Sequence, residues 1–348
     1  MSNPNYSTGQ VIDRRTYNEF SNGSVDGTLS NGTASVGLVW GTGYGRYGYG
    51  QGTEYIAPVT IGQLIRSQEW DNLDAILQST IEHQHGIGSY IGPGGGVIAA
   101  GQLIQPLSHF DSYITTAFND AGIVYSKSDS IASTTSYTGL WGSSGARTLS
   151  FVQTITFASA DQARYYFNAG GTIKLSFAHN GGTTRRDIFW DSICAAAGVV
   201  EIGYLNTRKI GGSGSTSRYS ALNSNNGGFW NNTGSYSQHF RQLSISGYGG
   251  YGGYGGYDYS YPPIPPGDDD VDQLNVSVSV SGDTGVNSGI GNIITIKTDF
   301  VNTFVRTPVD QDIIHGTTQV SVVFGAPWTN FITQTWGSPN LIGTASAL

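Results

Sequence analysis

Residues Gly247–Gly267, GYGGYGGYGGYDYSYPPIPPG, interrupt a stretch that otherwise reads as β-strands. Before them, Phe151–Phe157, Thr172–Ala178 and Val199–Leu205 read as strands joined by two short helices, and strands resume at Leu274. A tyrosine at every third position with only glycine between cannot build a core, because the backbone entropy is too high and the side chains too sparse. The run is therefore an exposed loop that offers tyrosines or a linker. The strands on either side alternate with one apolar face each. Two separated sheets would each leave that face uncovered, so one β-domain closing across an inserted loop is expected.

Composition narrows the surface. Charged residues make up 11% of the chain, against a usual level of about 25%. Glycine contributes 51 residues. Such a surface is covered by Ser, Thr, Asn, Gln and Gly, as in extended β-rich assembly proteins. The net charge is −8, and cations cluster no further than isolated pairs such as Arg185-Arg186. Counterion release on nucleic acid requires clustered cations, which argues against DNA or RNA as a main ligand. The lone Cys194 sits on an apolar helix face and reads as a small core residue, with no disulfide framework. The start, MSNPNYSTGQ, has no apolar signal region. No segment approaches the roughly eighteen apolar residues of a membrane span.

Residues 1–57 contain few apolar runs and include the Gly/Tyr stretch GTGYGRYGYGQG, so they read as an extended arm that gains order on another subunit. In PVTIGQLIRSQEWDNLDAILQSTIEHQHG, Thr60 with Gln63 makes a capping-box pattern, and Ser67 caps a second start with Glu69 in its first turn. Trp70, Leu73, Leu77 and Ile81 then recur at helical spacing, with a stop near His85-Gly86. That narrow stripe requires a partner surface, either the chain's own β-unit or copies of the helix itself. A Gly-rich connector spans 86–107 and a weaker helical stretch covers Phe110–Ala121. Ser159 with Gln162 caps the helix ADQARYYFNAGG, closed by Gly170-Gly171, and Thr183 or Thr184 caps the next, stopped by Gly198. LNVSVSV, NIITIKTDF and TQVSVVF complete the strands.

The fold class expected is mainly β: an antiparallel β-rich domain with short helices, preceded by an extended Gly-rich N-terminal arm and an α-helical segment. The divisions are 1–57 for the arm, 58–145 for a helical and Gly-rich connector region, 146–325 for the β-rich domain with the Gly/Tyr loop 247–270 inserted, and 326–348 for a C-terminal tail.

Few motifs point to chemistry. Gly43–Gly48, GYGRYG, matches a dinucleotide-binding glycine pattern but lacks the preceding strand and following helix that hold a pyrophosphate. His83 and His85 could meet near a threefold axis and hold a transition metal; the plainer reading is histidines complementing a helix C-terminus. Asp268–Asp270 read as a solvated acidic loop, since consecutive aspartates cannot all face one calcium ion. Asp161, Asp187, Asp191, Glu201, Asp299, Asp310 and Asp312 lie scattered and assemble no glycosidase pair or hydrolytic triad. The expectation is no enzyme, no catalytic or metal residues and no cofactor. Tyr248, Tyr251, Tyr254, Tyr257, Tyr259 and Tyr261 offer amphipathic area at low rotamer cost, suited to sugars or protein surfaces; a spacer with no defined partner is the equal alternative.

The segment SFVQTITFASADQARYYFNAGGTIKLSFA resembles one that recurs in virion structural proteins of tailed phages, especially those infecting cyanobacteria. Those proteins run from a TITF-type strand through an ARYFFNAGG helix and turn into an alternating strand, then a helix with a central tryptophan, here Trp190. ITIKTDFVN and VDQDIIHGTTQVSVVF are similar to that family's late strand and ending. GYGQG, the Gln68-Glu69-Trp70-Asn72 helix and His83-Gln84 look like its N-terminal part. The similarity is spread from about residue 47 to residue 324, and this chain departs from it at Gly247–Asp270. The resemblance implies a virion structural subunit of the tail, neck or baseplate, made in the host cytoplasm and working by contact with other virion proteins. A homo-oligomer is expected, with a trimer the leading arrangement, and Trp70, Leu73, Leu77 and Ile81 as an assembly helix. Three rivals stand beside it. They are a receptor-binding tail fibre or adhesin touching host glycans through the Gly-Tyr loop, a head-decoration protein, and a cell-wall hydrolase carried on the virion.

Overall fold

The computed structural model describes residues 14–28, 30, 33–41, 49, 57–92, 108–120, 123–143, 146–203, 207–210, 238–239, 273–282, 291–302, 313–332 and 335–348. Two antiparallel sheets dominate. One runs in the order β1 (Lys127–Tyr137), β9 (Thr317–Pro327), β3 (Thr172–Asn180), β4 (Val199–Ile202) and β5 (Thr207–Ile210). The other runs β10 (Asn340–Ala347), β2 (Thr148–Thr156), β8 (Ile293–Val301), β7 (Gln273–Ser281) and β6 (Gln238–His239). The protein is mainly β with short helices.

Period-two alternation decides which face is buried. On β2, Leu149, Phe151, Gln153 and Ile155 point inward, and each lies opposite an inward residue of β8: Phe300, Thr298, Ile296 and Ile294. The same β8 residues face Leu274, Val276, Val278 and Val280 of β7. In the other sheet Ile173 and Leu175 of β3 pair with Ile202 and Val200 of β4 and with Phe324 and Val322 of β9. Each large apolar side chain buried this way contributes about 1.5–3 kcal/mol. Strands from both sides of the 247–270 run interleave, with β8 between β2 and β7 and β9 between β1 and β3. The run itself, with Tyr248, Tyr251, Tyr254, Tyr257, Tyr259 and Tyr261, lies outside the described residues.

Two helices close the ends of the core: α5 carries the chain from β2 in one sheet to β3 in the other, and α6 links β3 to β4 within one sheet. α5 (Ala160–Asn168) starts where the Ser159 hydroxyl accepts the Gln162 N–H at 3.1 Å. It stops in a Schellman motif: Gly171 N–H donates to Tyr166 O at 2.8 Å and Gly170 N–H to Phe167 O at 2.9 Å. Gly170 has φ +91°, which glycine adopts without strain. A Cβ on Gly171 would lie 2.5 Å from the Tyr166 carbonyl oxygen. The Tyr166 ring packs on Phe157, Phe167 and Trp336. Its hydroxyl donates to Thr172 O at 2.6 Å, with Gly325 O also within 3.1 Å, tying β3 to β9. α6 (Arg185–Ala197) closes the other end. Trp190 meets Trp141 at 5.1 Å and Phe300 at 5.6 Å, and Phe300 also reaches Phe151 and Phe177. Cys194 is buried beside them, and burial pushes its thiol well above its ordinary range.

The N-terminal part differs from the extended arm expected over residues 1–57. Arg14–Asn22 (α1) and Val36–Trp40 (α2) are helices whose Tyr17, Phe20, Val36, Val39 and Trp40 join the core. They pack with α3 (Ser67–His85) and α4 (Ser108–Asn119). α3 begins one residue earlier than the expected Ser67 cap: Arg66 is the N-cap, and its N–H donates to Glu69 Oε2 at 2.7 Å. Two more expectations are corrected. Residues 58–145 include β1, and the tail expected over 326–348 supplies β10. Both strands are edges of the sheets. No helix among the described residues is long and apolar enough to cross a membrane.

Candidate functional site

The stripe assigned to assembly is already occupied. Trp70, Leu73, Leu77 and Ile81 are buried within this same chain. Trp70 packs edge-on against Tyr17 at 5.6 Å and lies 5.7 Å from Phe20 and 6.2 Å from Phe110. The expectation that these four residues face another subunit is therefore corrected: α1, α2 and α4 cover them. Short helices with polar flanks hid that surface in the sequence.

His83 and His85 diverge rather than meet. His83 is buried, with Nδ1 3.1 Å from the Tyr49 hydroxyl and Nε2 2.9 Å from the Trp328 carbonyl oxygen. A carbonyl only accepts, so Nε2 carries the proton and Nδ1 accepts from Tyr49. Burial lowers the His83 pKa to about 4, although the Trp328 carbonyl works in the opposite direction. His85 instead contacts Asp120 at 3.0 Å. His83, buried and held neutral, departs from the dipole-complementing role and fastens α3 to the residue that follows β9, while His85 lies in the last turn of α3 and pairs with Asp120 beyond α4.

Several of the scattered carboxylates take structural partners, while Asp191 is exposed on α6. Asp161 binds Arg164 at 3.0 Å, Asp299 binds Lys297 at 2.8 Å, and Glu201 lies 3.9 Å from Lys174. Asp310 and Asp312 lie outside the described residues, as do Gly43–Gly48 and Asp268–Asp270.

Asp187 organises the most concentrated polar cluster. Its backbone N–H donates to Thr184 Oγ1 at 3.1 Å, and its Oδ2 accepts the Thr184 N–H at 2.8 Å, a capping box at the start of α6. Oδ1 accepts the His315 N–H at 2.7 Å. Gly182, at φ +80°, leaves the space this carboxylate fills, since a Cβ there would lie 2.2 Å from Oδ2. His179 stands 4.0 Å from Oδ1 and its Nδ1 is 3.0 Å from the Thr318 hydroxyl. Burial holds His179 below its ordinary pKa, with Asp187 and Asp191 opposing that effect. Thr318, His179 and Asp187 occur in the order of a nucleophile relay. The His179–Asp187 separation is too long for a hydrogen bond, and Thr318 is 1% exposed. The hydrogen bonds of the cluster tie α6 to the segment entering β9 through His315, and β3 to β9 through His179 and Thr318. Sequence spacing carries no signal for it, because His179 and His315 are far apart in the chain.

What the molecule presents outward is different in kind. β1 and β10 are the terminal strands on one flank of the two sheets. They close on each other through small residues, and a Cβ on Gly343 would lie 2.0 Å from Thr135 Oγ1. Ile131 of β1, Ile342 of β10 and Leu348 are exposed on this flank. The sequence reading missed both strands because Ser, Thr, Gly and Ala leave little hydrophobic alternation to detect.

The chain matches no family model, no curated protein and no solved structure.

Proposed function

We propose that this chain is a structural subunit of a tailed-phage virion, part of the tail, neck or baseplate, and that it acts by protein–protein assembly as a homo-oligomer. The observation that carries the reading is the flank formed by β1 and β10. Inside, the sheets are filled by interlocking side chains and closed at both ends by α5 and α6. Outside, a Ser/Thr-rich flank with exposed Ile131, Ile342 and Leu348, on which β10 carries no charged side chain, offers backbone and apolar area to another protein chain. The segment that resembles phage virion proteins coincides with β2, α5 and β3, where the FNAGG turn forms the Schellman stop that sets the path between the sheets. That agreement between a sequence likeness and a mechanically necessary turn supports the assignment. The tyrosines of 248–261 are a proposed second contact, toward a neighbouring virion protein or a host glycan.

The test is particle composition. Phage particles purified through a density gradient should contain the chain at fixed stoichiometry, and antibody labelling should mark the tail, neck or baseplate. Its presence in infected cells with none in purified particles would overturn the proposal.

A further inference from the structure

We infer that β10 is a self-pairing edge, and that two copies of the chain join by antiparallel pairing of Asn340–Leu348 about a two-fold axis at Thr344. The inference deepens the assembly reading and rests on it only for where the pair is used. The pairing itself follows from the strand.

The direction of the free hydrogen-bonding groups comes first. Leu348 N–H donates to Thr148 O at 2.7 Å, and Thr148 N–H donates to Leu348 O at 3.0 Å. Leu348 and Thr148 are therefore a hydrogen-bonded pair, and the pattern alternates along an antiparallel ladder. Ser346, Thr344, Ile342 and Asn340 likewise bond to β2, opposite Ser150, Val152, Thr154 and Thr156. The main-chain groups of Leu341, Gly343, Ala345 and Ala347 point the other way. Among the described residues no strand pairs with that side. Those four residues face the interior yet stay partly exposed, as residues on an uncovered edge do.

Soluble proteins guard such edges with lysine, proline or a bulge. β1 follows that practice. Its register shifts between Ile131 and Ser133, and it carries Lys127 and Asp129. β10 has none of these devices: Asn340–Leu348 holds no charged side chain and no proline, and its register with β2 is unbroken. An unguarded edge beside a guarded one marks the edge that pairs.

The occupant follows from complementarity. An uncharged strand meets its own copy with no like charges opposed. Centring the axis on Thr344 overlaps all of Asn340–Leu348. Leu341 then meets Ala347 and Gly343 meets Ala345 as hydrogen-bonded pairs, for about eight new main-chain hydrogen bonds. On the outer face Thr344 meets Thr344, Ile342 meets Ser346 and Leu348 meets Asn340. The interface is isologous and closes at two copies, in place of the trimer expected from sequence.

The experiment uses the purified full-length chain. Sedimentation over a concentration series should give a dimer. Thr344→Lys sets two ammonium groups opposite each other on an exposed face without touching the β2 ladder, and should weaken dimerisation about tenfold or more. Thr344→Val should leave it intact. Thr344→Cys places two thiols at a non-hydrogen-bonded pair, where Cα atoms lie about 4.5 Å apart, within disulfide reach. Mild oxidation should yield a covalent dimer, while Ile342→Cys should not cross-link to itself. Cys194 is buried. Circular dichroism confirms that each variant folds. A monomer at every concentration, a trimer, or a dimer indifferent to Thr344→Lys would each overturn the pairing. Since these readouts need no phage, their failure leaves virion incorporation to its own test.

Discussion

Acidification should destabilise the protein through His83, and the size of the effect follows from the structure. Burial has lowered this imidazole from its ordinary 6.5 to about 4. Between those values the unfolded chain binds the proton more readily than the folded one, so stability falls as pH falls. The contribution is fully present above about pH 6.5 and is lost progressively on the way down to pH 4. At about 1.4 kcal/mol per pH unit, the loss is about 2 kcal/mol between pH 7 and 5 and about 3 kcal/mol by pH 4. The structural cause is local. A protonated ring could no longer accept the Tyr49 hydroxyl at Nδ1, and the charge would sit in a buried site between α3 and Trp328. The perturbation is His83→Gln, which keeps a donor and an acceptor but does not titrate. Urea unfolding of both proteins at pH 7 and pH 5, followed by tryptophan fluorescence, isolates the term, because every other titrating group, His179 included, contributes to both. The wild type should lose about 2 kcal/mol more than the variant over that interval. Equal losses in the two proteins would refute the assignment of His83 as a buried neutral histidine.

Trp70→Ala should cost about 3–5 kcal/mol, as for a fully packed aromatic, and lower the melting temperature of the isolated chain; an unchanged melt would return this residue to the role of an external contact. Phe300→Ala should cost a similar amount, since its ring meets Trp141, Phe151, Phe177 and Trp190, and calorimetry would detect it. Gly170→Ala forces a non-glycine residue to φ +91° and should cost about 1 kcal/mol; no change in denaturation midpoint would count against the Schellman stop. Shortening Gly249–Asp268 to a few glycines changes closure entropy only logarithmically, so a single cooperative transition should survive. Two resolved transitions would mean that the strands on either side do not share their sheets.

Alternation and caps determine much of the β-domain from the sequence alone. FVQTITF, TIKLSFA and NIITIKTDF each carry one apolar row at period two, and burial of a row against its partner allows one face and one register. The Ser159 cap and the FNAGG stop are equally local, since their hydrogen bonds close within a few residues. Two kinds of feature were out of reach. The edge strands β1 and β10 are rich in Ser, Thr and Ala, with Gly343 at a close approach, and such small side chains leave little hydrophobic period to read. The stripe of Trp70, Leu73, Leu77 and Ile81 was legible as a face in search of a partner, but its partners are supplied by α1, α2 and α4. The polar contacts joining His83 to Trp328 and Asp187 to His315 connect segments far apart in the chain and depend on where it returns in space. Local periodicity determined which residues would be buried; only tertiary packing decided what covers them, because that choice rests on contacts between segments with no common sequence period.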